Sequence, residues 1–71
     1  MEQTFQLWFT TTHQRLTREG ETAKATLLRR SYQTVMQFKI YYYSQGIEYS
    51  DALLIHRCGK ILDHLCWEYR I

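Results

Sequence analysis

The amino-acid sequence predicts an all-α protein: a small three-helix bundle with up-down-up topology, formed by residues 1–71 as a single helical domain. The 71 residues leave room for one domain only. Apolar residues recur at helical spacing in three segments, and Gly20 and Gly46 separate these segments at positions typical of helix C-termini. Short connections between helices favour antiparallel neighbours. A helical hairpin with an N-terminal arm is the alternative arrangement.

The segment from Ser50 to Ile71 has the clearest helical pattern. Ser50 is a suitable N-cap, and Asp51 places a negative charge in the first turn, where it stabilises the helix dipole. On a helical wheel one broad apolar stripe contains Leu54, Ile55, Cys58, Ile61, Leu62, Leu65, Cys66 and Tyr69. Charged side chains lie outside it: Arg57, Lys60, Asp63, His64, Glu68 and Arg70.

The first segment fits two secondary structures. As a helix it places Phe5, Trp8, Phe9, Thr12 and Leu16 on one face. As a strand over residues 4–12 it alternates apolar and polar positions, and the threonines at 10–12 favour extended structure. We favour the helix because its pattern persists to Leu16.

The middle segment, Ala23 to Ser44, is ambiguous over residues 34–43, where apolar and polar residues also alternate. The longer window favours a helix with Thr22 as its N-cap. Its predicted apolar stripe contains Leu27, Leu28, Tyr32, Val35, Met36, Phe38, Tyr42 and Tyr43, with Lys39 inside it. A stripe this wide is typical of a central helix with neighbours on both flanks.

The net charge of +2 is unevenly distributed. Residues 1–40 hold six basic and three acidic residues, a net charge of +3, whereas residues 41–71 hold three and four, a net charge of −1. Such an asymmetry suggests an anionic partner for the N-terminal half. A nucleic-acid-binding regulator would use the basic face of the first two helices, formed by Arg29, Arg30, Arg15, Arg18 and Lys24, with Tyr41 available to stack on a base.

The cysteines predict a reduced, cytoplasmic protein. Cys58 and Cys66 lie about 12 Å apart along one helix, which is too far for a disulfide. The His56-x-Cys58 and His64-x-Cys66 pairs cannot share a metal ion, because residues two apart on a helix point in nearly opposite directions. No phosphate loop or catalytic motif is found, and no apolar run is long enough to cross a membrane. We therefore expect no enzyme activity, no cofactor, no metal and no membrane partner.

Trp67 is the most informative single residue for function. On the last helix it points away from the apolar stripe, toward polar neighbours: His56, Lys60, Asp63, His64 and Arg70. An exposed tryptophan surrounded by charges is typical of a protein-binding hot spot. Coverage of Trp67 by the N-terminal segment or by a second subunit is the alternative.

The segment Leu62-Asp63-His64-Leu65-Cys66-Trp67-Glu68-Tyr69 resembles the motif of the sporulation-type aspartyl-phosphate phosphatases, Ser-Gln-x-Leu-Asp-x-Leu-Ile-x-x-Tyr. Leu62, Asp63, Leu65 and Tyr69 match it, whereas Gly59, Lys60 and Cys66 replace Ser, Gln and Ile. These phosphatases are small helical hairpins that act on phosphorylated response regulators. The resemblance implies that Asp63 would be directed toward the phosphoryl site.

Together these observations favour a small non-enzymatic regulatory or adaptor protein from a bacterium or its phage. It would bind a larger protein partner through the aromatic and charged face of its C-terminal helix. The chain is short and holds 15% aromatic residues, so surplus aromatic surface also suggests a homodimer.

Overall fold

The computed structural model describes residues 3–71 and contains three α-helices: α1 (Phe5–Arg18), α2 (Thr22–Ser44) and α3 (Asp51–Glu68). The predicted three-helix bundle is confirmed. The α2 and α3 helices are antiparallel, because Tyr42 near the end of α2 contacts Tyr49 just before α3, whereas Arg30 contacts Tyr69 just after α3. The strand interpretations of residues 4–12 and 34–43 are wrong, since both stretches are helical apart from the cap Thr4.

Two of the helices begin after a residue whose side chain caps the first turn. The Thr4 hydroxyl accepts a hydrogen bond from the Leu7 N–H at 3.1 Å, and the Ser50 hydroxyl accepts one from the Leu53 N–H at 3.2 Å. The predicted N-cap of α2 is wrong by one residue, because Thr22 is already helical and Glu21 precedes it without a side-chain cap. The reason lies in the preceding turn, where the Glu21 N–H bonds to the Leu16 carbonyl and fixes Glu21 as the last non-helical residue.

Each of the three helices ends in a turn of the same type, in which backbone N–H groups bond to carbonyl groups at the end of the helix. The N–H groups of Glu21, Ile47 and Ile71 reach back to carbonyls five residues earlier, at 2.8–2.9 Å. The residue before each must adopt positive φ: Gly20 (78°), Gly46 (82°) and Arg70 (57°). The two glycines therefore end α1 and α2 as predicted, and Arg70 takes the same position after α3 without the freedom of a glycine.

The α1 helix is fixed by aromatic contacts with α2. The predicted face is confirmed: Phe5 and Leu16 are buried, and Trp8, Phe9 and Thr12 are half-buried. The Tyr32 ring lies 4.8 Å from the Phe5 ring and 4.1 Å from the Phe9 ring. These ring contacts place the start of α1 opposite the middle of α2.

The buried residues of α2 lie between Ala25 and Val35. Leu28 and Ser31 are fully inaccessible, Val35 is 3% exposed, and the Ser31 hydroxyl donates to the Leu27 carbonyl at 2.9 Å. Two residues of the predicted stripe are not in the core, since Phe38 is 53% and Tyr43 is 67% exposed. The α2 helix is about 35 Å long and α1 only about 21 Å, so the C-terminal half of α2 extends beyond α1.

The α3 stripe is confirmed in all but its last member. Leu54, Cys58 and Leu62 are buried, and Ile55, Ile61, Leu65 and Cys66 are half-buried. Tyr69 is 53% exposed, because it follows the last helical residue at the end of the bundle, where its hydroxyl accepts from the Arg30 guanidinium of α2 at 3.5 Å. Within residues 3–71, no helix is long and apolar enough to cross a membrane.

Gly59→Ala tests whether the glycine within α3 lowers the stability of the protein. A Cβ added at this helical position meets no atom within 4 Å, so Gly59→Ala removes only the entropic penalty of glycine. We expect a gain of about 0.5–1 kcal/mol in the free energy of unfolding, measured by urea denaturation.

Gly46→Ala is the matched control, because its Cβ also meets open space but its φ is 82°. Here we expect the free energy of unfolding to fall by about 1 kcal/mol, because alanine is strained at this positive φ. Destabilisation by Gly59→Ala would show that something covers this part of α3.

Candidate functional site

Trp67 has the most exposed large apolar side chain among the described residues. It lies in the last turn of α3 and is 79% exposed. Its ring stacks loosely on that of His64, with centroids 6.3 Å apart and planes inclined by 29°. His64 also faces the Glu68 carboxylate at 3.8 Å. The indole is therefore supported by its own helix, and no other part of residues 3–71 covers it.

The structure brings the predicted partner-binding residues together on one face of α3. On a helical wheel, the five within the helix fall in a sector of about 100°. All five are exposed: His56, Lys60, Asp63, His64 and Trp67. We call this set the Trp67 face.

Arg70 lies beyond the helix, at the edge of the Trp67 face. Its left-handed backbone turns the chain back so that the Ile71 N–H reaches the Cys66 carbonyl at 2.8 Å. Tyr69 and Ile71 on either side of it are both about half exposed. The C-terminal turn thus adds Arg70 and two half-exposed side chains to the end of α3, and Tyr69 is directed toward Arg30 of α2.

A groove of about 460 Å³ adjoins the Trp67 face. His56 and Lys60 line it from α3, and Trp67 falls between these two residues on the helical wheel. Phe38 and Tyr42 line it from α2, and Tyr49 from the connection between the helices. The Trp67 face therefore continues into a concave surface.

The cysteines and histidines of α3 do not converge. Cys58 is buried, and burial raises the pKa of its thiol to about 11, so it is protonated at neutral pH. Cys66 is half-buried, whereas His56 and His64 are exposed. No group of three potential metal ligands occurs within residues 3–71.

The basic residues of the nucleic-acid hypothesis are dispersed. Lys24, Arg29 and Arg30 point at least about 100° apart around α2. Arg15 faces Glu19 at 3.9 Å near the end of α1, and the Arg30 guanidinium donates to the Tyr69 hydroxyl at 3.5 Å. Arg18 is exposed in the last turn of α1, where its charge suits the helix dipole. Nucleic-acid binding stays a prediction.

Asp63, the residue singled out by the phosphatase resemblance, is exposed on the third helix of a bundle rather than on a two-helix hairpin. Comparisons of the chain with family models, curated proteins and solved structures find no match. The phosphatase hypothesis stays a prediction carried by the motif alone.

Sequence reasoning missed the groove and its lining residues Phe38, Tyr42, Tyr49 and Arg57. Two signals were available. Lys39 interrupts an apolar stripe, and the tyrosines at 41–43 exceed what one helix can bury. Both are consistent with a helix end whose apolar surface stays partly open.

Proposed function

We propose that this protein is a small regulatory or adaptor protein without enzyme activity, which binds a larger protein through the Trp67 face. We place it in the cytoplasm of a bacterium or in a phage-infected cell, as its reduced cysteines suggest. The observation that carries the proposal is the exposed indole, 79% accessible in the last turn of α3.

Energetics support a binding role for this tryptophan. A tryptophan buries about 150–250 Å² when it is covered, which corresponds to roughly 4–6 kcal/mol before the costs of association. Charged and polar residues around it (Lys60, Asp63 and His64) are exposed and suit the rim of an interface. An apolar centre with a polar rim is the usual anatomy of a hot spot.

We also propose a homodimer, formed through the part of α2 that extends beyond α1. Ile40, Tyr43 and Ile47 are 65%, 67% and 44% exposed and line a shallow depression of about 620 Å³. These apolar residues lie away from Trp67, near the start of α3. A dimer through this patch would leave the Trp67 face open to the partner.

Trp67→Ala tests the proposed partner face. Because the indole is 79% exposed and His64 is its ring partner among the described residues, the free energy of unfolding should change by less than about 0.5 kcal/mol. Binding of the partner should weaken by about 2 kcal/mol or more, roughly thirtyfold. Capture of partners from lysate of the host cell on immobilised protein, followed by mass spectrometry and affinity measurement, gives the readout.

Tyr41→Ala is the matched control, since Tyr41 is an aromatic residue of α2 with 59% exposure. A partner should be retained by the wild type and by this control but lost by Trp67→Ala. Equal retention by all three proteins would refute the proposed face, and unfolding of Trp67→Ala would show that the indole supports the core.

Sedimentation equilibrium tests the dimer. The wild-type protein should associate at micromolar concentrations, and Ile40→Glu/Tyr43→Glu should be monomeric with an unchanged helical circular dichroism spectrum. The double variant places two charges in the patch, where they would be buried without partners. A wild type that stays monomeric throughout this range would rule the dimer out.

A further inference from the structure

The α2–α3 hairpin has two sides, and the described residues cover only one of them. The α1 helix covers one side through the Phe5 and Phe9 contacts with Tyr32. The groove of about 460 Å³ is lined by α2, α3 and Tyr49, with no residue of α1. The hairpin therefore offers a second position for a helix, and the described chain leaves this position empty.

The floor of the groove is apolar. Val35 and Leu54, at 3% and 2% exposure, belong to the core and reach its base. Leu53 and Ile61 are half-buried along its side, and Phe38 forms an exposed edge. Such a floor matches the apolar stripe of an amphipathic helix, as in other helix-in-groove complexes.

One wall of the groove is a row of aromatic rings that ends in a cation. Phe38 and Tyr42 lie 6.4 Å apart, and Tyr42 meets Tyr49 edge to face at 5.5 Å. The Arg57 guanidinium lies 6.0 Å from the centre of the Tyr49 ring. Because the Tyr42 and Tyr49 planes cross at 83°, they form no common platform on which successive bases could stack.

The charges that line the groove have one sign. Lys39, Arg57 and Lys60 line it together with His56, and no aspartate or glutamate of residues 3–71 does. Neither of the two ion pairs found within residues 3–71 involves these three cations. A partner segment with carboxylates beside its apolar stripe would complement them.

A second copy of this chain does not supply such a segment. The α1 and α2 helices contain no aspartate or glutamate at all. The α3 helix contains three carboxylates, but it also carries Arg57, Lys60 and two histidines. Charge complementarity therefore points to a different protein.

We propose that the groove between α2 and α3 binds an acidic amphipathic α-helix of the partner protein. The inference rests on the proposed function, because it names the chemistry of the partner bound beside Trp67. The helix would lay its apolar stripe on Val35, Leu54 and Ile61. Its carboxylates would meet Arg57 and Lys60, and its end would reach Trp67, about 10 Å along α3 from Lys60.

A synthetic peptide tests the groove directly. The probe is a fluorescein-labelled helical peptide of about five turns, with leucines on one face and glutamates elsewhere. We expect fluorescence anisotropy to show saturable binding to the full-length protein. An otherwise identical peptide with lysines in place of the glutamates should not bind.

Matched charge variants locate the binding. Arg57→Gln/Lys60→Gln lowers the net charge by two inside the groove and should weaken binding roughly tenfold. Gln33→Glu/Gln37→Glu lowers it by the same amount on the exposed opposite side of α2 and should have a much smaller effect. Phe38→Ala should also weaken binding, since it removes the apolar edge. Circular dichroism verifies that each variant is folded.

The proposal is overturned if the acidic peptide does not bind, if the lysine peptide binds equally well, or if both double variants weaken binding equally. Competition by oligothymidylate, lost in Arg57→Gln/Lys60→Gln, would instead assign the groove to nucleic acid. Failure of the peptide while Trp67→Ala still loses its partner would refute the acidic helix and leave the Trp67 face standing. Peptide binding with no effect of Trp67→Ala on partner capture would refute the Trp67 face and leave the acidic helix standing.

Discussion

The structure depends on one geometric constraint: a single short helix covers a longer helical hairpin. Tyr32 holds α1 in place through contacts with Phe5 and Phe9, and α1 then covers only one side and one half of α2. Because the chain has no fourth helix within residues 3–71, the other side of the hairpin and the C-terminal end of α2 stay open. The overall dimensions of 39 × 30 × 14 Å reflect this flat arrangement.

This constraint determines where the surplus apolar surface lies. A chain of this size buries only about 60–65% of its unfolded surface, so some large side chains must stay accessible. Apart from Leu7 on α1, the exposed large apolar residues form two groups: one surrounds the end of α2, from Phe38 to Ile47, and the other lies at the end of α3, at Trp67, Tyr69 and Ile71. Concentrated apolar surface with a charged rim is typical of interaction sites, and both proposed interfaces follow from it.

Most of α3 could be predicted from the sequence, because its N-cap, apolar stripe and exposed Trp67 depend on local chemistry and on the helical period. The exposure of Phe38 and Tyr43 could not. It depends on how far along α2 the start of α1 reaches, which the contacts of Phe5 and Phe9 with the distant Tyr32 determine. Tyr69 was misplaced for a similar reason, since the pattern does not reveal that the helix ends at Glu68. The groove arises from three separate segments, so no single stretch of sequence indicates it.

The proposed partner face requires the Trp67 indole to be exposed to solvent, and tryptophan fluorescence measures this exposure. The chain has two tryptophans, so Trp8→Phe leaves Trp67 as the sole emitter and keeps an aromatic ring beside Phe5. At concentrations where the folded variant is monomeric, we expect it to emit at the wavelength of a solvated indole and to be fully quenched by acrylamide. The emission maximum should shift little on unfolding in urea. A blue-shifted, poorly quenched emission that moves to the red on unfolding would place the indole beneath other side chains and refute the proposed partner face.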